Sequence, residues 1–208
     1  MYGIPFPGDY LVNPDGTVRD KLFLPDYQHR PTAGAVVVRN FGSHDGWPAV
    51  KIEAPVLDAI VSFSTDRCFA GQEIGVRISV EVKPGWHIYG RPLPSNYQAL
   101  ELVFESPVID GQSLQIPAAE PTRLKALDET LPTYGGKLEA TGSFSIRWSP
   151  PVPVPFMEAL GKKLEPGLYK IRGELRYQAC SDTICEPPAH ATFEFPLTIE
   201  SGIPPLPT

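Results

Sequence analysis

The stretch Tyr177–Pro188, with the sequence Tyr-Gln-Ala-Cys-Ser-Asp-Thr-Ile-Cys-Glu-Pro-Pro, contains two of the three cysteines of the chain. Apolar and polar residues alternate from Leu168 into this stretch as far as Cys180. After the stretch they alternate again from Ala191 to Ile199. Alternation with a period of two is typical of a strand that buries one face. We therefore predict a β-hairpin that carries the cysteine pair at its connection.

The places of the two cysteines in this hairpin predict that both sulfurs lie near a sheet edge. Cys180 ends the first strand on its polar face, and Cys185 precedes Pro187 and Pro188, which cannot join a central ladder. A bridge across so short a loop stabilises the fold by only about 2 kcal/mol in the chain-entropy model. Exposed bridges of this kind are often reducible, although the spacing also suits a bridge that merely ties the hairpin. A metal site is disfavoured because no second pair of Cys or His ligands is present.

Further alternating segments predict an all-β protein. The clearest runs from Ile74 to Val82, and others are 60–63, 99–104 and 138–148. The 25 prolines and 18 glycines also favour many short strands joined by turns. We predict an immunoglobulin-like antiparallel β-sandwich of two sheets, with an N-terminal β-hairpin as an appendage.

The cysteine hairpin resembles the active-site hairpin of the N-terminal domain of the thiol:disulfide interchange protein DsbD. The segment Pro84–Tyr89 is similar to an early strand of that family, and the likeness covers roughly residues 50–200. The best-known members have one more residue between the cysteines. The resemblance implies thiol–disulfide exchange through a Cys180–Cys185 pair that needs neither cofactor nor metal. It also implies a periplasmic or otherwise extracytoplasmic location.

The same resemblance implies which residues surround the sulfurs. Tyr89 matches a family tyrosine that lies close to the cysteine pair and could shield it or donate a hydrogen bond to it. Tyr177 and Gln178 directly precede the Ala-Cys dipeptide and are expected beside the site.

The segment 127–136 matches a cap loop of the family. Its aromatic residue, followed by glycine, covers the cysteines and moves aside when the partner docks. Tyr134 is the candidate for that aromatic residue, with Asp128 and Glu129 as nearby acids. A glycine-rich surface turn with solvated carboxylates is the alternative interpretation.

Charges near the cysteines indicate the kind of exchange. No basic residue is close to either cysteine in sequence, and Asp182 and Glu186 should disfavour ionisation of both thiols. A weak nucleophile of this kind suits a component of a protein-disulfide reductase. It would pass electrons from a membrane-embedded or thioredoxin-like donor to an oxidised protein substrate. The alternatives are a non-enzymatic interaction module with a structural disulfide and an accessory domain of a peroxiredoxin-like protein.

Residues 1–40 differ from the rest of the chain. They predict a strand, a turn at Asn13–Gly16, a second strand and a short helix from Pro31. Segment 3–16 resembles the last hairpin of a thioredoxin-like or peroxiredoxin-like domain, in which the bond matching Ile4–Pro5 is often cis. An ordinary hairpin without that ancestry is the alternative. A two-stranded hairpin cannot bury both faces, so we expect it to pack on the main domain, to form a homodimer with a second copy or to be poorly ordered.

The predicted organisation is therefore a fragment at 1–40, a linker at 41–50, the β-sandwich at 51–202 and a tail at 203–208. Residues 150–155 are interpreted as a crossover between strands, with a polyproline ligand as the alternative. Cys68 is expected to be buried or partly exposed without a function, and His87 to be a packed or surface residue.

The net charge of −6 argues against a nucleic-acid partner. No apolar run reaches the length of a membrane span. The first residues lack the pattern of a secretory signal, so the signal of an exported protein is expected to lie upstream of Met1 or to be absent through truncation.

Overall fold

The computed structural model describes residues 8–23, 30–41, 46–148 and 164–201. Strands predominate because β-branched and aromatic residues alternate with polar ones along most of the chain. No helix in these described ranges is long and apolar enough to cross a membrane. The elements in chain order are β1 (Gly8–Val12), β2 (Val18–Phe23), β3 (Arg30–Pro31), α1 (Ala33–Phe41), β4 (Ala49–Glu53), β5 (Leu57–Phe63), β6 (Arg67–Phe69), β7 (Gln72–Val82), β8 (Trp86–Tyr89), β9 (Glu101–Glu105), β10 (Ile109–Gln115), β11 (Glu120–Leu124), β12 (Glu129–Tyr134), β13 (Lys137–Ile146), β14 (Gly167–Tyr177), β15 (Ala179–Ser181) and β16 (Ala189–Glu200).

Two sheets enclose the main core. One has the strand order β10-β13-β7-β5-β4, with the short β3 pairing parallel to β7, and the other has the order β6-β16-β14-β9. The alternating apolar faces of β7 and β16 contribute to one shared cluster of buried side chains. This arrangement confirms the predicted all-β, immunoglobulin-like sandwich.

Phe63 at the end of β5 joins the two sheets at the centre of this core. Its ring is fully buried and stacks on Phe195 of β16 with centroids 3.8 Å apart. It also meets Phe104 of β9 and Phe144 of β13 edge to face, at 6.0 and 6.3 Å. Aromatic pairs in these geometries add to the burial of apolar surface, so Phe63 links strands from both layers.

The predicted hairpin around the cysteines is present, but its first strand ends earlier than expected. Strands β14 and β16 pair antiparallel from Gly167 opposite Ile199 to Tyr177 opposite Ala189. After Tyr177 the chain leaves this sheet and continues as β15, which pairs with β8. The expectation that Cys180 lies on the polar face of β14 is therefore wrong, because the change of sheet at Gln178 ends the alternation and buries Cys180 completely.

A third, four-stranded sheet with the order β11-β12-β8-β15 contains this continuation. Strand β8 is central and β15 is an edge strand, so the prediction that the cysteines lie near a sheet edge is confirmed. The register places Cys180 opposite His87 and Ala179 opposite Ile88. The small sheet thus places the loop that carries the cysteines beside the segment Pro84–Tyr89, which is far from that loop in sequence.

The N-terminal strands and helix form as predicted. The β1–β2 turn is closed by Gly16 N–H donating to the Asn13 carbonyl at 2.9 Å, and Gly16 has a φ of 83°. Thr32 begins α1, where its hydroxyl accepts from Ala35 N–H at 3.2 Å, as an N-cap residue does. The Arg19 guanidinium donates to the Asn40 carbonyl at 3.3 Å and so links β2 to α1. The thioredoxin-like ancestry and the pairing with a second copy stay predictions.

Several expectations fall outside the described residues. They concern the Ile4–Pro5 bond, the crossover at residues 150–155 and the tail at 203–208. The boundaries proposed for the fragment, linker and main domain also stay predictions.

Cys68 lies in the main core, as expected for a cysteine without a local mate. It is 2% exposed, on strand β6, which pairs parallel with β16. Burial, with a smaller effect of the nearby Glu200 carboxylate, raises the pKa of the Cys68 thiol to about 12. The thiol therefore stays protonated at neutral pH and behaves as a small apolar side chain.

We expect Phe63→Ala to lower the free energy of unfolding by about 3–5 kcal/mol, because it removes the ring that packs on both sheets. The measurement is urea denaturation of the oxidised protein. Ile60→Ala is the matched control, since Ile60 lies on the same strand and is 42% exposed, and it should cost less than about 1 kcal/mol. Equal losses in the two variants would contradict the placing of Phe63 at the centre of the core.

Candidate functional site

The small sheet has one face toward the main core and another toward a second, smaller cluster. Ile88 and Ala179 belong to the main core. Tyr89 and Cys180, their neighbours along the same strands, belong to the second cluster. Alternation within a strand explains this division, because successive side chains point to opposite faces. We call the second set the cysteine cluster; its buried members are Tyr89, Leu124, Leu131 and Cys180, and its partly buried members are Leu93, Tyr97, Leu127 and Cys185.

A disulfide joins Cys180 to Cys185, with the two Cα atoms 4.1 Å apart. Cys180 is fully buried, whereas Cys185 is partly exposed. Backbone hydrogen bonds fix the loop on both sides of the bridge, from Ser181 N–H to the Ile184 carbonyl at 2.8 Å and from Glu186 N–H to the Ala179 carbonyl at 2.9 Å. Cys185 is therefore the more accessible residue of the pair.

Tyr89 donates a hydrogen bond to the buried sulfur. Its hydroxyl oxygen lies 2.9 Å from Cys180 Sγ and 3.7 Å from Cys185 Sγ. Burial, with smaller effects of Tyr97 and the Glu129 carboxylate, raises the pKa of Tyr89 to about 12. The hydroxyl therefore keeps its proton at neutral pH and is a permanent donor toward Cys180.

Tyr97 is a site residue that the sequence analysis missed. Its ring meets the Tyr89 ring edge to face at 5.2 Å, and its hydroxyl donates to a Glu129 carboxylate oxygen at 3.1 Å. Burial and this hydrogen bond raise the pKa of Tyr97 above its usual value. Tyr97 lies in a turn, where its N–H donates to the Pro94 carbonyl, and no periodic pattern marks such a position. Glu129 thus takes part in the site through Tyr97.

Strands β11 and β12 form a hairpin that covers the cysteine cluster; we call it the cap hairpin, residues 120–134. Three of its leucines, Leu124, Leu127 and Leu131, pack in the cluster. At its turn, the Lys125 ammonium forms an ion pair with the Asp182 carboxylate at 2.5 Å. The cap hairpin is therefore fastened to the cysteine loop by apolar packing and by one surface ion pair.

Tyr134 does not lie in the cysteine cluster. Its ring packs against the main core, and its hydroxyl donates to the Pro117 carbonyl at 2.6 Å. The reason is the alternation along β12, in which Leu131 faces the cysteines and Tyr134 has the opposite parity. The expectation that Tyr134 covers the cysteines is thus corrected: leucines of the cap hairpin occupy that place.

The remaining predicted neighbours have different surroundings. Tyr177 is buried in the main core rather than beside the sulfurs. Asp128 is exposed, has a φ of 59° and pairs with Arg123 within the cap hairpin. Neither residue contributes to the cysteine cluster.

Gln178 holds the backbone around the site. It is 9% exposed, and its side-chain oxygen accepts from Gln98 N–H while its side-chain nitrogen donates to the Glu186 carbonyl, both at 3.0 Å. Its own carbonyl accepts from Tyr89 N–H at 3.2 Å. Gln178 therefore positions the strand that carries Tyr89 through its backbone carbonyl, and the loop that carries Tyr97 and the end of the cysteine loop through its side-chain amide.

The charges at the site differ from the sequence-based expectation in one respect. Lys125 is far from the cysteines in sequence, but the fold brings it to Asp182 in their loop. Within the described ranges, no group of three or more His, Cys, Asp or Glu side chains is arranged to hold a metal ion. The chemistry that this site offers is that of the two sulfurs and the tyrosine hydroxyl beside them.

Comparisons with known proteins give two findings. A family model described as "Thiol:disulfide interchange protein DsbD, N-terminal" matches residues 55–197, more than half of the chain. Among solved structures, the chain is similar to the N-terminal periplasmic domain of ScsB from Proteus mirabilis, with 12% identity and a TM-score of 0.45. That match covers 73% of this chain and 49% of the other, so this chain spans about half the length of that structure. No curated protein matches the chain.

We expect Lys125→Ala to increase the rate at which dithiothreitol reduces the disulfide, by about two- to fivefold at low salt, because an exposed ion pair that fastens the cap hairpin is lost. Salt should raise the rate of the unmodified protein and narrow this difference. The rate can be followed by quenching with an alkylating agent.

Lys170→Ala is the matched control for Lys125→Ala. Lys170 pairs with Glu194 at 2.9 Å on the β14–β16 surface, and its side chain is 73% exposed against 71% for Lys125. The control should leave the rate unchanged. An equal rate in the unmodified protein and in Lys125→Ala would show that the ion pair does not restrain the cap hairpin.

Proposed function

The chain belongs to the family of the N-terminal domain of the thiol:disulfide interchange protein DsbD, and on this premise we propose that its Cys180–Cys185 pair carries electrons from a thioredoxin-like or membrane-embedded donor to an oxidised protein. The domain is a thiol:disulfide interchange domain. The observation that supports the proposed roles of its cysteines is the unequal environment of the two sulfurs, one fully buried beside Tyr89 and the other partly exposed.

In the proposed reduction, a thiolate of the donor attacks Cys185 Sγ, the more accessible sulfur. The bond between the two sulfurs of the protein breaks, and Cys180 Sγ leaves with the electron pair. A mixed disulfide then joins the donor to Cys185. The hydroxyl of Tyr89, 2.9 Å from Cys180 Sγ, donates a hydrogen bond to the leaving sulfur as it gains negative charge.

The second thiolate of the donor then attacks the donor's own sulfur in the mixed disulfide, and Cys185 leaves as a thiolate. Protons from solvent neutralise the thiolates according to their pKa values. The donor dithiol is now a disulfide, and the protein holds the two electrons as a Cys180–Cys185 dithiol. The same steps in reverse reduce an oxidised protein substrate, with Cys185 as the attacking sulfur.

In every step of this exchange, the bonds that form and break are those between sulfur atoms, apart from proton transfers. A pair that alternates between disulfide and dithiol fits a compartment in which disulfides form and persist, so we place the domain in the periplasm or another extracytoplasmic compartment. The rival is a purely structural bridge. It would not discriminate between the two cysteines in exchange, and this difference can be tested.

We expect Cys180→Ala to accumulate a mixed disulfide with a thioredoxin that keeps only its attacking cysteine, activated as the mixed disulfide with thionitrobenzoate. The accessible Cys185 attacks the thioredoxin sulfur, thionitrobenzoate leaves, and neither site holds a second thiol that could resolve the product. Cys185→Ala should accumulate far less, since Cys180 is fully buried. Non-reducing gel electrophoresis separates the products. Equal trapping by both variants, or by neither, would contradict the proposed roles.

We expect Tyr89→Phe to slow reduction by dithiothreitol about tenfold, because the leaving Cys180 sulfur loses a hydrogen bond of the charged type, worth about 1.5–3 kcal/mol. Tyr169→Phe is the control, since the Tyr169 hydroxyl is likewise a hydrogen-bond donor, but to the Glu165 carbonyl and at the far end of β14. An unchanged rate in Tyr89→Phe would show that the Tyr89 hydroxyl does not assist the departure of the Cys180 sulfur.

The raised pKa of Tyr89 gives a second readout for the same pair of variants. The folded state favours the neutral hydroxyl, so its contribution to stability is present below pH 10 and is lost as the pH rises toward about 12. Between pH 10 and about pH 12, the free energy of unfolding should therefore fall less in Tyr89→Phe than in Tyr169→Phe. Urea denaturation at both ends of the window measures the difference.

A further inference from the structure

A large aliphatic side chain is exposed on the protein surface at the residue directly before the accessible cysteine. Ile184 precedes Cys185 and is 51% exposed. The other exposed large apolar side chains among the described residues are Tyr10, Val12, Val18, Val37, Ile60, Phe69 and Leu168, and none of these belongs to the cysteine loop. The exposure of Ile184 is therefore a local property of the site.

The loop holds Ile184 in place through Ser181. The Ser181 hydroxyl oxygen accepts from the N–H groups of Ile184 and Thr183, at 3.1 and 3.3 Å. Ser181 N–H also donates to the Ile184 carbonyl at 2.8 Å, and the disulfide closes the loop one residue later. A side chain on a backbone fixed in this way loses little conformational entropy when a partner covers it.

The surface around Ile184 combines apolar and acidic groups. Leu127 and Tyr97, both partly exposed, pack against the same buried cluster as Cys185 does. Glu186 and the ion pair between Asp182 and Lys125 flank the loop, and the chain as a whole has a net charge of −6. An apolar centre with a charged rim is the usual composition of a protein docking surface. Because Lys125 offsets Asp182, the acidic charge at this rim is that of Glu186, and together with the net charge of the chain it favours a partner with basic residues around its own apolar contact.

We propose that Ile184 is the apolar anchor on which the partner protein docks when its thiolate attacks Cys185, and that this contact makes the site prefer protein thiols to small thiols. The inference rests on the proposed exchange at Cys185. The occupant is a thioredoxin-like protein whose reactive cysteine is bordered by apolar side chains. Small thiols reach the same sulfur without covering Ile184, so they gain nothing from it.

The test compares two reductants on the oxidised protein. Reduced thioredoxin is the protein probe, dithiothreitol is the small one, and the second-order rate constant is measured for each. In Ile184→Ser the thioredoxin reaction should slow about five- to tenfold, the effect expected when half of an aliphatic side chain no longer gains from burial. The dithiothreitol reaction should be unchanged, and Ile184→Leu should keep most of the thioredoxin rate.

Leu168→Ser is the matched control. Leu168 is 71% exposed, at the end of β14 opposite to the cysteines, and its replacement should alter neither rate. Equal thioredoxin rates in Ile184→Ser and the unmodified protein would overturn the inference. So would an equal slowing with both reductants, because the side chain would then act through the shape of the loop.

Failure of the proposed function would look different from failure of this inference. If neither reductant opens the disulfide of the unmodified protein while the fold is retained, the exchange itself is the wrong assignment. If dithiothreitol opens it and thioredoxin does not, the bridge is reducible but the docking of a thioredoxin-like partner on Ile184 is refuted.

Discussion

The transfer of the chain from one sheet to another at Gln178 is the constraint on which the site depends. Tyr177 ends a strand of the sandwich, and Ala179 begins a strand of the small sheet beside β8. Because the buried amide of Gln178 binds the backbone of two other loops, the crossing point is held in place. Cys180 enters the protein interior at this point, although the pattern before it predicts a polar face.

This crossing gives the two sulfurs unequal environments within one short loop. Cys180 is buried against Tyr89, while Cys185 follows an exposed segment and is itself partly exposed. A symmetric, fully exposed bridge would offer both sulfurs to an attacking thiolate. In the proposed exchange, burial selects the sulfur that is attacked, and a neutral hydroxyl is already in place beside the sulfur that leaves, which is the kind of preorganisation that lowers a barrier.

The cover over the site combines strong and weak interactions. Apolar packing of the cap hairpin excludes water from Tyr89 and Cys180, whereas its turn is held to the cysteine loop by an exposed ion pair. Exposed pairs contribute little free energy and are screened by salt. The cover over the buried half of the site therefore depends mainly on apolar packing, and the ion pair adds a small, salt-dependent contribution at the turn.

By itself the sequence determined the properties that depend on neighbours along the chain. The alternation in β7, β14 and β16 predicted the strands and the sandwich, and the Asn13–Gly16 turn predicted the first hairpin. The cysteine connection and the Pro84–Tyr89 segment indicated the family and placed Tyr89 near the sulfurs. Strand periodicity and turn chemistry are local, so these features can be read without the fold.

Only the tertiary structure decided which face of each strand meets the cysteines. It placed leucines of the cap hairpin over the bridge and Tyr134 in the main core, brought Tyr97 and Lys125 to the site, and buried Cys180. The sequence alone could not predict these positions, because a one-residue change in register or a change of sheet reverses the direction of every later side chain. Contacts between distant loops are set by the packing of whole sheets, which no local pattern records.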